Sequence, residues 1–390
     1  MKKRILAMLL CALMCLALLA GCDNGGSSAG GGSSEAGLDG SWPEETIKIG
    51  MEVYDTADDQ YLAFKDYVDY LSEYYNIELI TSESLESPEA EMDFIDSCAA
   101  AGCKAIIGYY NLAGAEAIKH CMDQGMYYWG TEQYYDDVKN EDLYIGCYTF
   151  IEDGATENGD YLGGYEMGYQ MGKSGEVNHI FYCSGGTAFG VQMFLDRQAG
   201  FEAGIAQAQA EGSTIKFDPA TDIIEGWPGT DDFTAAVGAK LAGDYDGAAV
   251  SFNAAALFQP IMEAGKAETM HLATIGEVGD TYKDFMGNLI SVVVYDCEEV
   301  VFGNAITAIL NAVTGHNDLN KNADGTAAKI LVNRWVVTDV DTYNTIYDKH
   351  AAGEYYVSAD ELSNLLGEFN PDVTLEDIQD FYYSLDVSAI

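Results

Sequence analysis

From residue 46 onward, short apolar runs alternate with longer segments in which apolar residues recur every three or four positions. The first run, 47–53, reads as a strand. Segment 60–75 carries Tyr61, Phe64, Val68 and Leu71 at helical spacing. A strand at 77–81 follows, then a helix at 88–101 with Pro88 in its first turn, where a missing N–H costs nothing. The alternation predicts further strands at 104–108, 126–129 and 144–150, and a helix at 113–124. Beyond 150 it predicts helices at 158–173, 191–209, 231–242, 254–265 and 298–313. Strands are predicted there at 177–183, 214–217, 247–251, 271–275 and 290–295. Such alternation builds βαβ units, hence parallel sheets with helices on both faces. Two runs of roughly five strands each predict an α/β protein of two doubly wound parallel-sheet lobes, divided near 150–158. In such sheets ligands bind beyond the carboxyl ends of the strands. Two facing lobes make a cleft that can close on a small molecule.

The first 45 residues do not follow this pattern. The chain opens Met1-Lys2-Lys3-Arg4 and continues with an uncharged apolar run, 5–20. A basic start, a short apolar core and small residues before a cut describe a secretory leader. The run is shorter than the ~20 residues that span a bilayer. Its end, Leu19-Ala20-Gly21-Cys22, resembles the lipobox of bacterial lipoproteins. That resemblance implies a signal peptide over 1–21 and a diacylglycerol on Cys22. It places the protein on the extracytoplasmic face of the cell membrane, anchored by the lipid. An ordinary leader that happens to contain a Cys is the alternative. Residues 22–45, rich in Gly and Ser, read as a flexible linker.

Charge narrows the function. The chain has 18 basic and 64 acidic residues, a net charge of −46, and loss of the leader makes it more negative. Such a charge repels nucleic acid and anionic lipid surfaces. At 48% hydrophobic content the chain can still build a core. Of nine Cys, six remain beyond Cys22: Cys98, Cys103, Cys121, Cys147, Cys183 and Cys297. Export would permit pairing, but their apolar contexts favour buried free thiols. Their spacing gives no zinc motif, and no metal is expected. No phosphate loop, H-E-x-x-H or G-x-S-x-G string is present. No enzyme activity and no cofactor are therefore expected. Gly164, Gly168 and Gly172, four apart, suggest close helix packing. The stretch 318–325 is better read as an Asx-rich turn than as a calcium loop, because Ala323 and Lys329 stand where that loop needs Gly and Glu.

Three strings carry a family resemblance. They are Ser184-Gly185-Gly186 followed by Arg197-Gln198-Ala199-Gly200-Phe201, then Tyr245 to Asn253, then strand 290–295 followed by helix 298–313. With the element order over 46–340, the chain resembles the type I periplasmic substrate-binding proteins of the ribose- and galactose-binding kind. The resemblance implies a three-crossing hinge. The N-terminal lobe would hold 46–150 plus 297–316, and the C-terminal lobe 151–296 plus 317–340. It implies a monomer that captures a small polar ligand, with a sugar favoured, and delivers it to an ABC transporter permease. The implied ligand residues are Tyr61, Asn111, Arg197, Trp227, Asn253, Glu277 and Tyr295. Arg197 supplies a two-pronged donor, Asn253 an amide that donates and accepts, and Trp227 a ring for sugar faces. Other readings of Tyr61 and Asn253 are core packing and an N-cap. Ala254 and Glu277 depart from the family pattern, as does the loop 54–60, which leaves the ligand open. Alternatives are a sensor module presenting ligand to a chemoreceptor or histidine kinase, a nucleoside or autoinducer ligand, and an exported enzyme. The tail, 341–390, exceeds the usual end of the family. Capping-box strings at 358–361 and 374–377 predict two short helices there.

Overall fold

The computed structural model describes residues 42–152, 154–186 and 192–390. The leader, Cys22 and the linker as far as residue 41 lie outside the described residues. The linker ends earlier than the composition suggests. Trp42 is buried and stacks on Phe369 at 5.4 Å between ring centroids, beside Tyr75 at 5.2 Å. One large ring with a place in the core outweighs the polar residues around it.

The first sheet takes β1 (Ile47–Met51), β2 (Ile77–Thr81), β3 (Ala105–Gly108), β4 (Tyr127–Gly130) and β5 (Tyr144–Thr149). They are linked by α1 (Asp59–Ser72), α2 (Pro88–Ala101) and α3 (Ala115–Asp123). Pro88 does open α2, behind a Ser87 side-chain cap. The second sheet takes β6 (Ile180–Ser184), β7 (Ile223–Glu225), β8 (Gly247–Val250), β9 (His271–Ile275) and β10 (Ile290–Tyr295). Its helices are α4 (Gly159–Ser174), α5 (Gln192–Ala210), α6 (Asp231–Leu241), α7 (Phe258–Glu263) and α8 (Asp280–Lys283). Helix α9 (Glu298–Val313) returns to the first lobe, and β11 (Lys329–Leu331) and β12 (Trp335–Val337) follow. The strand orders are β11-β5-β4-β3-β1-β2 and β12-β10-β9-β8-β6-β7. Every pairing is parallel except that of β12 with β10.

Residues 317–340 do not all join the second lobe, as the family pattern implied. β11 pairs with β5, so the first lobe runs through 331, and β12 alone of the two strands joins the second sheet. Gly146 explains the docking. At φ +106 it lets β5 yield to the Ala328 carbonyl, which would lie 2.1 Å from a Cβ there and which accepts from Cys147 N at 3.2 Å. Segment 214–217 forms only a single bridge, between His179 and Lys216. The edge strand is the three-residue β7, too short to show a period. Predicted helix 254–265 is split into a 3-10 turn, Ala254–Leu257, and α7. Pro260 lacks the N–H that a continuous α-helix would bond to Ala256.

Gly164, Gly168, Gly200 and Gly204 seat α4 directly on α5. A Cβ on Gly164 would sit 1.9 Å from the Arg197 carbonyl oxygen, and one on Gly200 1.9 Å from that of Tyr161. All six described cysteines are buried and unpaired. Among the described residues no helix is long and apolar enough to cross a membrane.

The tail holds three helices, α10 (Val340–Ala351), α11 (Ala359–Asn364) and α12 (Leu375–Ser384). Both capping boxes are formed. α10 lies on the second lobe, where the Tyr343 hydroxyl donates to the Gly279 carbonyl at 2.6 Å. The chain then returns to the first lobe. There the Tyr67 and Tyr75 hydroxyls donate to the Val357 and Ala359 carbonyls at 2.9 and 2.6 Å. The tail thus makes a fourth passage between the lobes, beside those after β5, after β10 and between β11 and β12.

Candidate functional site

The carboxyl ends of both sheets face a cleft. On the first lobe, β1 runs into the loop that ends at Asp58, the N-cap of α1, whose carboxylate accepts from Tyr61 N at 3.1 Å. Tyr109, just past β3, places its hydroxyl 2.9 Å from Asp58 Oδ2 and 2.8 Å from Gln60 Oε1. Tyr54 and Tyr110 meet edge to face at 5.1 Å nearby.

On the second lobe, Trp227 follows β7 and Phe252 follows β8. Their ring centroids are 5.2 Å apart, and Phe194 of α5 lies 5.8 Å from Trp227. Asn253 is exposed. Its Oδ1 accepts from Ala255 N at 2.9 Å and from the Tyr282 hydroxyl at 2.7 Å, and its Nδ2 reaches Asp59 Oδ2 of the first lobe at 3.2 Å. The residue is at once a cap and a bridge across the cleft.

Arg197 extends from α5 toward the same region. Its Nε donates to Asp160 Oδ1 at 2.7 Å and its Nη1 to the Ser251 carbonyl at 2.8 Å. The glycine contacts of α4 and α5 set this geometry, since Gly164 lies against the Arg197 backbone itself.

Glu277, past β9, is half-buried, and its Oε2 is sealed from solvent with no N–H or O–H donor. Burial pushes its carboxyl well above the usual range, and the neighbouring carboxyl of Glu298 adds to this. Burial raises the Glu298 carboxyl as well. Tyr295 is wholly buried and donates its hydroxyl to Glu298 Oε2, so it braces the hinge and does not line the cleft.

Two other sequence-derived residues lie elsewhere. Tyr61 is packed in the core of the first lobe, and its hydroxyl donates to Thr81 Oγ1 at 3.3 Å on the edge strand β2. Its place on the inner face of α1 turns the ring away from the cleft. Asn111 spends its amide on the fold. Its Nδ2 donates to the Tyr128 hydroxyl at 2.7 Å, and its Oδ1 accepts from Gly114 N. Tyr128 in turn donates to the buried Glu52 at 2.9 Å. Asn111 therefore shapes the loop after β3. The structure gathers Arg197, Trp227, Asn253 and Glu277 around the cleft, with Tyr295 behind them in the hinge.

Arg334 was not anticipated from the sequence. It lies between β11 and β12, with Nε and Nη2 forked onto Asp296 at 2.8 and 3.2 Å. Its Nη1 donates to the Gly159 carbonyl, and its guanidinium lies 4.0 Å from the centre of the Phe150 ring. Glu132 approaches it at 4.0 Å. Burial raises the Glu132 carboxyl to about 7 against the pull of Arg334. Glu132 also holds φ at 60, an uncommon value for a non-glycine residue. A signal for Arg334 existed in the composition. Beyond the leader the chain has two arginines, Arg197 and Arg334, and both sit where the lobes meet.

No protein-family model matches the sequence, and no curated protein does. Solved structures do match in fold. A galactofuranose binding protein is 18% identical, with a TM-score of 0.56 over 78% of this chain and 99% of its own. The periplasmic binding protein component of the arabinose ABC transporter from Shewanella sp. ANA-3 is 18% identical, with a TM-score of 0.56 over 79% and 97%. An Escherichia coli transcriptional repressor is 13% identical, with a TM-score of 0.55 over 75% and 98%. These neighbours are binding proteins and a regulator, not enzymes, and the fold is that of the type I periplasmic binding proteins.

Proposed function

We propose that this chain, which has the type I periplasmic binding protein fold, is an extracytoplasmic solute-binding protein. It captures a small polar ligand, with a sugar favoured, by closing its two lobes, and hands it to an ABC transporter permease. The cross-cleft pair of Asn253 and Asp59 beside the Trp227–Phe252 rings carries this reading. A polar clasp next to an aromatic wall suits a solute with both hydroxyls and apolar faces. The names of the galactofuranose- and arabinose-binding neighbours support the sugar preference. The lipid expected on Cys22 and the linker behind it would keep loaded protein close to its permease.

A thermal-shift panel of sugars, nucleosides and amino acids tests the proposal, because a ligand that binds the native state raises the melting temperature by mass action. A sugar-specific rise that is lost in Trp227→Ala is the expected result. Turnover of a solute without stoichiometric binding overturns the binding role, and shifts by nucleosides or amino acids alone overturn the sugar preference.

A further inference from the structure

The tail touches both lobes and is pinned between them at one carboxylate. On the second lobe, the Tyr343 hydroxyl of α10 donates to the Gly279 carbonyl at 2.6 Å. On the first, Asn311 of α9 donates to the Leu365 carbonyl at 3.0 Å and accepts from Gly367 N at 2.9 Å. Tyr67 of α1 donates to the Val357 carbonyl at 2.9 Å. Residues 352–357 make the crossing, and Glu299 holds it at both ends. Glu299 lies in the first turn of α9, where the chain leaves β10 of the second sheet for the first lobe. Its Oε1 is 3.0 Å from His350 Nε2 and accepts from Tyr356 N at 2.8 Å. The Glu299 side chain is wholly buried, and that of His350 is 20% exposed.

We propose that the tail is a strap across the hinge, fastened by the ion pair of His350 and Glu299, and that loss of the His350 proton loosens it and lets the lobes part. This goes beyond the binding reading and holds whichever solute enters the cleft. A wholly buried carboxylate needs a cation beside it. Protonated His350 supplies one, through a charge-assisted bond. The neutral ring keeps only a weaker contact. No other group facing the pair replaces that cation. Glu298, Cys297, Tyr67, Tyr295, Tyr355 and Tyr356 are acidic or neutral. Lys349, beside His350, turns to Glu354 at 4.0 Å and to the Tyr356 ring at 5.0 Å. Burial works against the His350 proton, but Glu299 outweighs it and raises the pKa above the ordinary 6.5. Burial would likewise raise the Glu299 carboxyl, yet His350 and the Tyr356 amide hold it below the usual range. A histidine raised in this way contributes fully below its unfolded pKa and loses that contribution as pH rises through the folded one. The strap is therefore tight in mild acid and slack in mild alkali.

Hydrogen exchange and small-angle X-ray scattering of the purified, unliganded protein, compared at about pH 6 and about pH 9, test the strap. The Tyr356 amide, bound to Glu299 directly, reports the fastening, and the radius of gyration reports the lobes. From the lower pH to the higher, protection of Tyr356, corrected for the intrinsic rate, should fall about tenfold. The radius of gyration should grow by about 1 Å. His350→Gln, a donor that is neutral at every pH, should show the slack values at both. His316→Gln, which removes the histidine that meets the tail at Glu368, should respond as the parent does. If protection and radius stay constant in the parent, the proposal fails even where the melting temperature changes, because a merely structural ion pair gives that result. A fall in protection without a change in radius also overturns it, since the strap would then not govern the lobes. If His350→Gln responds to pH as the parent does, the assignment to His350 fails. The parent comparison alone decides if that variant does not fold. No solute enters these measurements, so their failure leaves the binding role standing.

Discussion

Asn253 Nδ2 and Asp59 Oδ2 stand 3.2 Å apart across the cleft, the second lobe donating to the first. The bond spans the two lobes, so under the proposed closure on the ligand it would form only when they come together. Asp59→Ala removes it without touching the Asn253 cap. A single such bond contributes on the order of 1 kcal/mol. Asp59→Ala should therefore weaken ligand binding by roughly two- to tenfold, with little change in unliganded stability. Asn253→Ala should do the same and also lower stability by about 1 kcal/mol through the lost cap. Titration and urea unfolding of the two variants check this, and equal stability losses would contradict it.

Arg334 and Asp296 form a forked pair that is largely buried, with side-chain exposures of 8% and 14%. Truncating one partner strands the other. Arg334→Ala also leaves Glu132 without its nearest cation. The expected cost is about 3–5 kcal/mol, seen as a large fall in melting temperature. The double variant Arg334→Met with Asp296→Leu should recover part of it, because Asp296 is then no longer stranded and only Glu132 still lacks its cation. A double variant as unstable as the single one would argue against this account.

Asp222 anchors a network on the second lobe. It accepts from the Tyr245 hydroxyl at 2.6 Å and from Asp218 N at 2.9 Å, and pairs with Lys240 and His179, each at 3.3 Å. Burial would raise its pKa, but these partners outweigh it and hold it at about 2, below the ordinary 3.8. A depressed carboxylate stabilises the native state above its unfolded pKa and loses that contribution as pH falls through the folded one. Roughly 2 kcal/mol should therefore vanish between about pH 4 and pH 2. Urea midpoints measured across that range should drop in the parent and change less in Asp222→Asn.

Gly200 lies against α4 so closely that a Cβ would sit 1.9 Å from the Tyr161 carbonyl oxygen. Backbone cannot give way as a side chain can. Gly200→Ala should cost about 1–3 kcal/mol or more and push α5 outward, moving Arg197 off Asp160. Gly238→Ala, with nothing within 4 Å of the added carbon, is the control and should be neutral or slightly stabilising. Thermal unfolding of the pair decides it.

The long periodic segments were legible because their apolar spacing is a local property. α1, α2 and α9 follow from it, as do the fully buried strands β3, β5 and β8. Both capping boxes of the tail were equally readable, since a cap and its partner are three residues apart. Three-residue strands were not. β7, β11 and β12 have too few positions to show a period, and sheet partners decide their existence. The site divides in the same way. Trp227 and Asn253 follow strand ends, which is where ligands bind in such sheets. Tyr61 and Asn111 occupy equivalent places in the chain, yet their side chains turn into the fold.

Alternation alone determined that this chain is an α/β protein of two doubly wound lobes, because burying one face of each helix on a parallel sheet leaves few other solutions. Tertiary structure decided what no local pattern encodes. It placed β11 in the first sheet, joined Arg334 to Asp296, set Glu277 against Glu298, and brought the tail back across the hinge. Those outcomes depend on which distant surfaces meet, and charge and packing at such meetings are settled only when the whole chain has folded.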